Sequence, residues 1–295
     1  MSQPSYHCRG SIGWMLLLLL LAGCAPRFEN SLRREAPNCA WQVCLRSADT
    51  PAGRLYFAIN REPVPATVVL SFGSLENLET DVSLPVERVV PPDSAVALLE
   101  MLRIRRDEPM IAQASFAIDL GSSETEADTS YLYAVPFGGN RHRELSQGFD
   151  GPESHLGGMR YSLDFAMPEG TPVLASRPGI VLYIQDGFTE GGPDPDLLER
   201  ANLVVIAHRD GSMASYGHLA PGVAVSRGQH VGEGELLGRS GSTGFAGRPH
   251  LHFHVGLRLL RDPGRTIPIK LKGPDGAALN LADGTPVPPA SLQSR

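Results

Sequence analysis

The run Pro249-His250-Leu251-His252-Phe253-His254-Val255 sets three imidazoles at alternate positions among apolar residues. On a β-strand, side chains two apart share a face. His250, His252 and His254 would then line one side, with Phe253 and Val255 on the other. No helical period competes over so short a run. A row of imidazoles can bind a metal, shuttle protons, or do both. One or two solvated histidines on an edge strand would give the same pattern. Upstream, Tyr161-Ser162-Leu163-Asp164-Phe165-Ala166 is a second strand-like run, and it places one carboxylate among apolar residues.

The elements that must position these groups are predicted to be strands. A chain of 295 residues makes one large or two ordinary domains. Its 32 glycines, 25 prolines and few aromatics suit many short strands joined by turns better than a helical bundle. The expected class is all-β. Residues 45–140 read as a β-sandwich-like spacer, with strand patterns at 54–59, 66–72 and 111–118 between turn signals. Residues 93–105 fit a strand or a short helix equally. Residues 170–175 and 227–238 carry Gly-x-x-Val from Gly170 and from Gly228 and lead into a strand, which resembles the duplicated hairpins of lipoyl and biotinyl carriers and of related hybrid-motif folds. Residues 147–265 contain no lysine, which excludes covalent lipoyl or biotin attachment there. The glycine- and proline-rich stretch 186–200 is expected to be a long loop that walls a groove. Gly238, Gly241 and Gly244 do not form a dinucleotide fingerprint, because no helical pattern follows them.

The N-terminus has targeting character. Arg9 precedes an apolar run at 14–22 with six consecutive leucines, shorter than the ~20 residues a membrane-spanning helix needs. Leu21-Ala22-Gly23-Cys24 resembles the lipobox of bacterial lipoproteins. That resemblance implies removal of residues 1–23, lipid on Cys24 and, with Pro26 two places on, release to the outer membrane facing the periplasm. In the linker 24–44, Cys39 and Cys44 are spaced to close a small disulfide in an oxidising compartment. A net charge of −6 gives no basic footprint for nucleic acid. The organisation expected is completed by a second domain at 141–266 and a tail at 267–295 that reads as loop and frayed end.

Several separated motifs agree in order: Ser162-Leu163-Asp164-Phe165-Ala166-Met167-Pro168-Glu169-Gly170-Thr171-Pro172-Val173, Tyr216-Gly217-His218-Leu219, Gly241-Ser242-Thr243-Gly244, and Pro249-His250-Leu251-His252-Phe253. Over 147–256 they resemble the lysostaphin-type (LytM) zinc metallopeptidases, which cleave cross-bridges and stem peptides of bacterial peptidoglycan. The resemblance implies an antiparallel β-sheet groove of the duplicated hybrid-motif type with Zn2+ on its floor. It also implies Asp164 and His252 as metal ligands, and His218 and His250 as catalytic groups that do not ligate. His254 falls where the family often has Glu, and is expected at the rim or supporting a ligand.

One position departs from the pattern. The family's third ligand is usually a histidine four residues before the aspartate, and here that residue is Arg160, which has no lone pair to offer a metal. A branch of the family with an inserted loop carries Ser-His ahead of Tyr-x-x-Asp-Phe-Ala-Met-Pro. By that likeness His155 is the displaced ligand, with Gly157 and Gly158 letting the chain bulge back. Two imidazoles and a carboxylate suit a catalytic zinc with one open position, where a water's pKa falls toward about 7. His218 and His250 would then exchange protons and stabilise the oxyanion. His208 is expected to be structural, and Tyr183 and Tyr216 to line the groove or pack in the core. Two functions follow: a lipid-anchored zinc metalloendopeptidase acting on peptidoglycan, or a non-catalytic relative that binds and activates a cell-wall amidase, which Arg160 keeps open.

Overall fold

A computed structural model describes residues 38–122, 124–259 and 266–290. The leader and Cys24 lie outside the described residues. The described chain is nearly all β. It begins with β1 (Asn38–Ala40), β2 (Val43–Asp49), β3 (Gly53–Asn60), β4 (Ala66–Glu76), β5 (Leu78–Glu79), β6 (Val86–Val90), β7 (Ser94–Arg103) and β8 (Ile111–Leu120). It continues with β9 (Leu132–Tyr133), β10 (Arg143–Gln147), β11 (Leu163–Ala166), β12 (Pro172–Leu174), β13 (Gly179–Gln185), β14 (Gly191–Gly192), β15 (Leu203–Ala207) and β16 (Met213–Gly217). The last six are β17 (His230–Val231), β18 (Leu236–Arg239), β19 (Gly244–Phe245), β20 (His250–Gly256), β21 (Lys270–Leu271) and β22 (Pro286–Val287). Backbone proximity divides the described residues into two compact units, one drawn from 38–59, 70–86 and 95–116, the other from 60–69, 87–94 and 117–290.

A five-stranded sheet runs in the order β1-β2-β3-β7-β5, and β4 belongs to a three-stranded sheet with β6 and β8. Tyr56 of β3 meets Phe72 of β4 edge-on, 5.1 Å between ring centres, so the two sheets touch through apolar side chains. The ambiguous stretch 93–105 is strand β7. Leu99 and Met101 are buried while Glu100 and Leu102 are exposed, and that period of two decides against a helix. Cys39 and Cys44 stand opposite each other across β1 and β2 and are joined by a disulfide.

The second unit is built on an eight-stranded antiparallel sheet in the order β17-β13-β15-β16-β20-β11-β10-β22. Alternation divides its central strands. Leu163, Phe165, Leu251, Phe253 and Tyr216 face the core, and Asp164 and the histidines of β20 take the other side. The two Gly-x-x-Val segments meet each other, because β12 pairs antiparallel with β18 and adds Val173 and Leu237 to the same core. The stretch 186–200 holds β14, which runs parallel to β19, and a 3-10 helix Pro195–Arg200 capped by the Asp194 side chain. β14 passes so close to its neighbour that a Cβ at Gly191 would lie 1.5 Å from the Ser242 carbonyl oxygen. The segment expected as loop and frayed tail carries two short strands instead: β22 pairs with β10 at the sheet edge and buries Val287, and β21 pairs with β9 and buries Leu271. Strands of two residues leave no period to read in a sequence.

His208 is structural. It is 4% exposed, lies edge-on to Tyr133, and donates from Nδ1 to the Pro178 carbonyl at 2.9 Å. Burial pushes its pKa down to about 4, with Arg177 adding to the fall. Between that value and the unfolded value near 6.5 the unfolded chain binds more protons, so this contribution to stability is whole above pH 6.5 and is lost as the pH falls toward 4. Urea unfolding at pH 7 and pH 4 is therefore expected to show wild type losing ~3 kcal/mol more than His208→Asn, which keeps a donor toward Pro178. Equal losses would refute the assignment.

Candidate metal centre

One register row crosses four strands: Gln147 of β10, Asp164 of β11, His252 of β20 and Gly217 of β16. His250 stands opposite Ala166, and His254 opposite Ser215. The Asp164 carboxylate is the hub. His252 Nδ1 lies 2.8 Å from its Oδ1, His155 Nε2 3.2 Å from its Oδ2, and His250 Nε2 3.8 Å from Oδ1. One donor atom each from His155, Asp164 and His252 falls within 4.8 Å of the others, a group able to hold a metal ion.

His155 reaches this point from a loop. The chain leaves β10, turns through residues 148–156 and a 3-10 turn Gly157–Met159, and enters β11 only at Leu163. Arg160 ends that 3-10 turn, before the strand begins. Its half-exposed guanidinium pairs with Asp150 at 2.9 Å and sits over the Tyr161 ring at 4.8 Å. The position at which the family resemblance implies a ligand histidine is thus turned outward, and fully buried His155 occupies the space beside Asp164.

Hydrogen bonds to backbone fix the tautomers. His155 Nδ1 lies 2.7 Å from the Gly148 carbonyl, His218 Nδ1 2.7 Å from that of Thr243, and His250 Nδ1 2.9 Å from that of Arg248. A carbonyl oxygen only accepts, so each Nδ1 carries the hydrogen, and in the neutral ring each Nε2 presents its lone pair. His252 is reversed, with Nδ1 on Asp164 and Nε2 3.1 Å from His254 Nδ1. His254 thus contacts His252 and is not among the converging donors.

The neutral tautomer of His155 aims an Nε2 lone pair at a carboxylate oxygen, and this buried atom makes no well-directed hydrogen bond. Two facing acceptors repel unless a proton or a metal cation lies between them. The ionisation of both groups expresses that demand. Burial works against the charged form of His155, but the Asp164 carboxylate outweighs it and leaves the pKa raised. Burial likewise works against the Asp164 anion, yet His155 and His252 hold it well below the usual carboxylate range. The donor set fits zinc, whose ligands at ~2.0–2.2 Å are two imidazoles and a carboxylate in many catalytic sites.

His218 and His250 form a second pair, ring centres 4.5 Å apart. Burial, then the neighbouring His250, lowers the His218 pKa to about 4. Burial also lowers that of His250, against the pull of Asp164. Both shifts favour the neutral imidazole. His218 adopts a left-handed backbone conformation (φ 59°) just past β16, unusual for a residue with a side chain and typical of functional positions. These rings, with Asp164 and His252, line a cavity of about 660 Å³ that Leu198 of the 186–200 stretch also lines. Tyr216 belongs to the core, where its hydroxyl accepts from the Ser176 amide, while Tyr183 lines a smaller adjoining cavity. Gln147, beside Asp164, carries no sequence signal that would have marked it.

The sequence model of Peptidase family M23 matches residues 158–262. Peptidoglycan DD-endopeptidase ShyA of Vibrio cholerae is 39% identical over 95 residues, which are 32% of this chain and 20% of that protein. Cell division protein DipM of Caulobacter vibrioides is 37% identical over 93 residues, 32% of this chain and 14% of that protein. DD-carboxypeptidase/endopeptidase Mpg of Neisseria meningitidis is 32% identical over 141 residues, 48% and 27% respectively. The chain thus spans between 14% and 27% of the length of these relatives. Among solved structures, the catalytic domain of a point mutant of the prophage-encoded M23 protein EnpA from Enterococcus faecalis is 27% identical, covering 46% of this chain and 94% of that one at a TM-score of 0.35. The family match and these relatives support placing the C-terminal part of the chain with the M23 peptidases. His155 lies just outside the matched residues, Arg160 inside them.

Proposed function

We propose that this protein is a zinc metalloendopeptidase that hydrolyses peptide bonds in bacterial peptidoglycan. His155, Asp164 and His252 would hold the metal, and His218 and His250 are its catalytic groups. The observation that carries the reading is the buried His155 Nε2, brought from a loop to 3.2 Å from Asp164 Oδ2 without a well-directed hydrogen bond. Zinc held there supplies Lewis acidity beside the groove. His218 and His250, neutral and with Nε2 free, take up a proton from the attacking water and return one to the leaving amine. The open cavity beside these groups and the relative named as a peptidoglycan endopeptidase support that substrate class. Lipid on Cys24 would anchor the enzyme to the outer membrane from the periplasmic side. The alternative, an amidase-activating protein without catalysis, draws on Arg160 at the expected ligand position; the placement of His155 beside Asp164 favours the enzyme.

Elemental analysis of the purified protein tests this directly. Stoichiometric zinc is expected, together with cleavage of isolated murein that a chelator abolishes and added zinc restores. Metal-free protein that leaves murein intact but stimulates an amidase would overturn the proposal.

A further inference from the structure

Gln147 lies directly across from Asp164, on the side away from His252. A β-bulge between Leu145 and Gln147 puts it there. Leu145 pairs with Phe165 on the core face, and the shift of register turns Gln147 onto the Asp164 face instead. The side chain is buried and every part of its amide is used. Nε2 donates to Ser154 Oγ at 2.8 Å and to Asp164 Oδ2 at 3.2 Å, while Oε1 accepts from the Glu153 amide at 2.9 Å and the Ser154 amide at 3.4 Å. A backbone N–H only donates, so the oxygen must face Glu153 and the nitrogen must face Asp164. Gly151 makes room for this arrangement, since a Cβ there would lie 2.2 Å from Gln147 Cγ.

Ser154 immediately precedes His155. One amide therefore ties the carboxylate to the turn that delivers the neighbouring imidazole. A ligand carried on the strand itself would have its spacing to Asp164 set by the backbone ladder. His155 comes from a loop and has no such constraint. We propose that Gln147 is the positioning residue that replaces it, holding Asp164 Oδ2 and the His155 turn at metal-binding separation. The inference rests on the zinc reading above and assigns Gln147 no contact with metal or substrate.

The test is zinc affinity, measured by competition with a chromophoric chelator, alongside amide exchange of residues 148–156 in the metal-free protein. Gln147→Met keeps chain length and removes all four hydrogen bonds. It is expected to weaken zinc binding about 10–100-fold, the range for contacts that orient a ligand, and to speed exchange at Glu153 and Ser154. A packing role alone would lower the melting temperature of the metal-free protein and leave zinc affinity unmoved. Gly151→Ala, which displaces Gln147 without changing it, is expected to weaken zinc binding as well. Affinity within twofold of wild type in Q147M, or in G151A should Q147M not fold, overturns the proposal. Wild-type protein that takes up no zinc would instead overturn the metal reading itself.

Discussion

Protein carrying His155→Ala is expected to lose stoichiometric zinc and to lose peptidoglycan hydrolysis by well over the roughly 100-fold that outer contacts cost. Asp164 and His252 would remain, but two donors hold a catalytic zinc far less well than three. A histidine at position 160 would not make good the loss. Arg160 is half-exposed, paired with Asp150, and sits before β11 begins, so Arg160→His would place its imidazole outside the site. The double variant His155→Ala, Arg160→His is therefore expected to stay metal-poor and inactive. Zinc content by elemental analysis and murein solubilisation read both outcomes. Alanine also strands the buried Gly148 carbonyl that His155 Nδ1 satisfies, so the melting temperature of the metal-free variant must be followed as a control. Full activity in folded His155→Ala would sink the ligand assignment.

What the sequence made legible was whatever repeats with a strand's period. The alternation through residues 250–255 placed three histidines on one face, and the run at 161–166 placed Asp164 where a neighbouring strand presents it, both as the register of β11 and β20 has it. The two Gly-x-x-Val segments also came through, and they pair as β12 and β18. What stayed hidden depends on pairing between distant segments. The bulge that aims Gln147 exists only when β10 lies against β11. The tautomers of His155, His218 and His250 are set by carbonyls of Gly148, Thr243 and Arg248, and a carbonyl is the same in every residue. His155 was reachable only through likeness to a branch with an inserted loop, because a loop has no period. The strands at 270–271 and 286–287 are two residues long, and their place at sheet edges is decided by partners far away in the chain.

His218→Ala and His250→Ala should behave differently from loss of a ligand. Each is expected to keep zinc at the wild-type level while turnover falls by about 10²–10⁴-fold, the range for general acid–base groups. Neither ring is among the three donors that converge, and both are held by backbone carbonyls through Nδ1, so removing one leaves the metal set standing. With ring centres 4.5 Å apart, the two act on the same proton traffic, and their losses should not multiply. The double variant is expected to fall little further than the more damaged single one. Steady-state kinetics on a synthetic stem peptide, with zinc measured on the same preparations, separates the roles. Loss of zinc in either single variant would move that histidine into the metal set, and fully multiplicative losses would mean the two imidazoles serve separate steps. The reversed His252 gives the contrast: its Nδ1 faces Asp164 and its Nε2 is taken by His254, which leaves neither nitrogen free to carry a proton to or from substrate. On the proposed function, catalysis would fall to the two rings whose Nε2 lone pairs remain free.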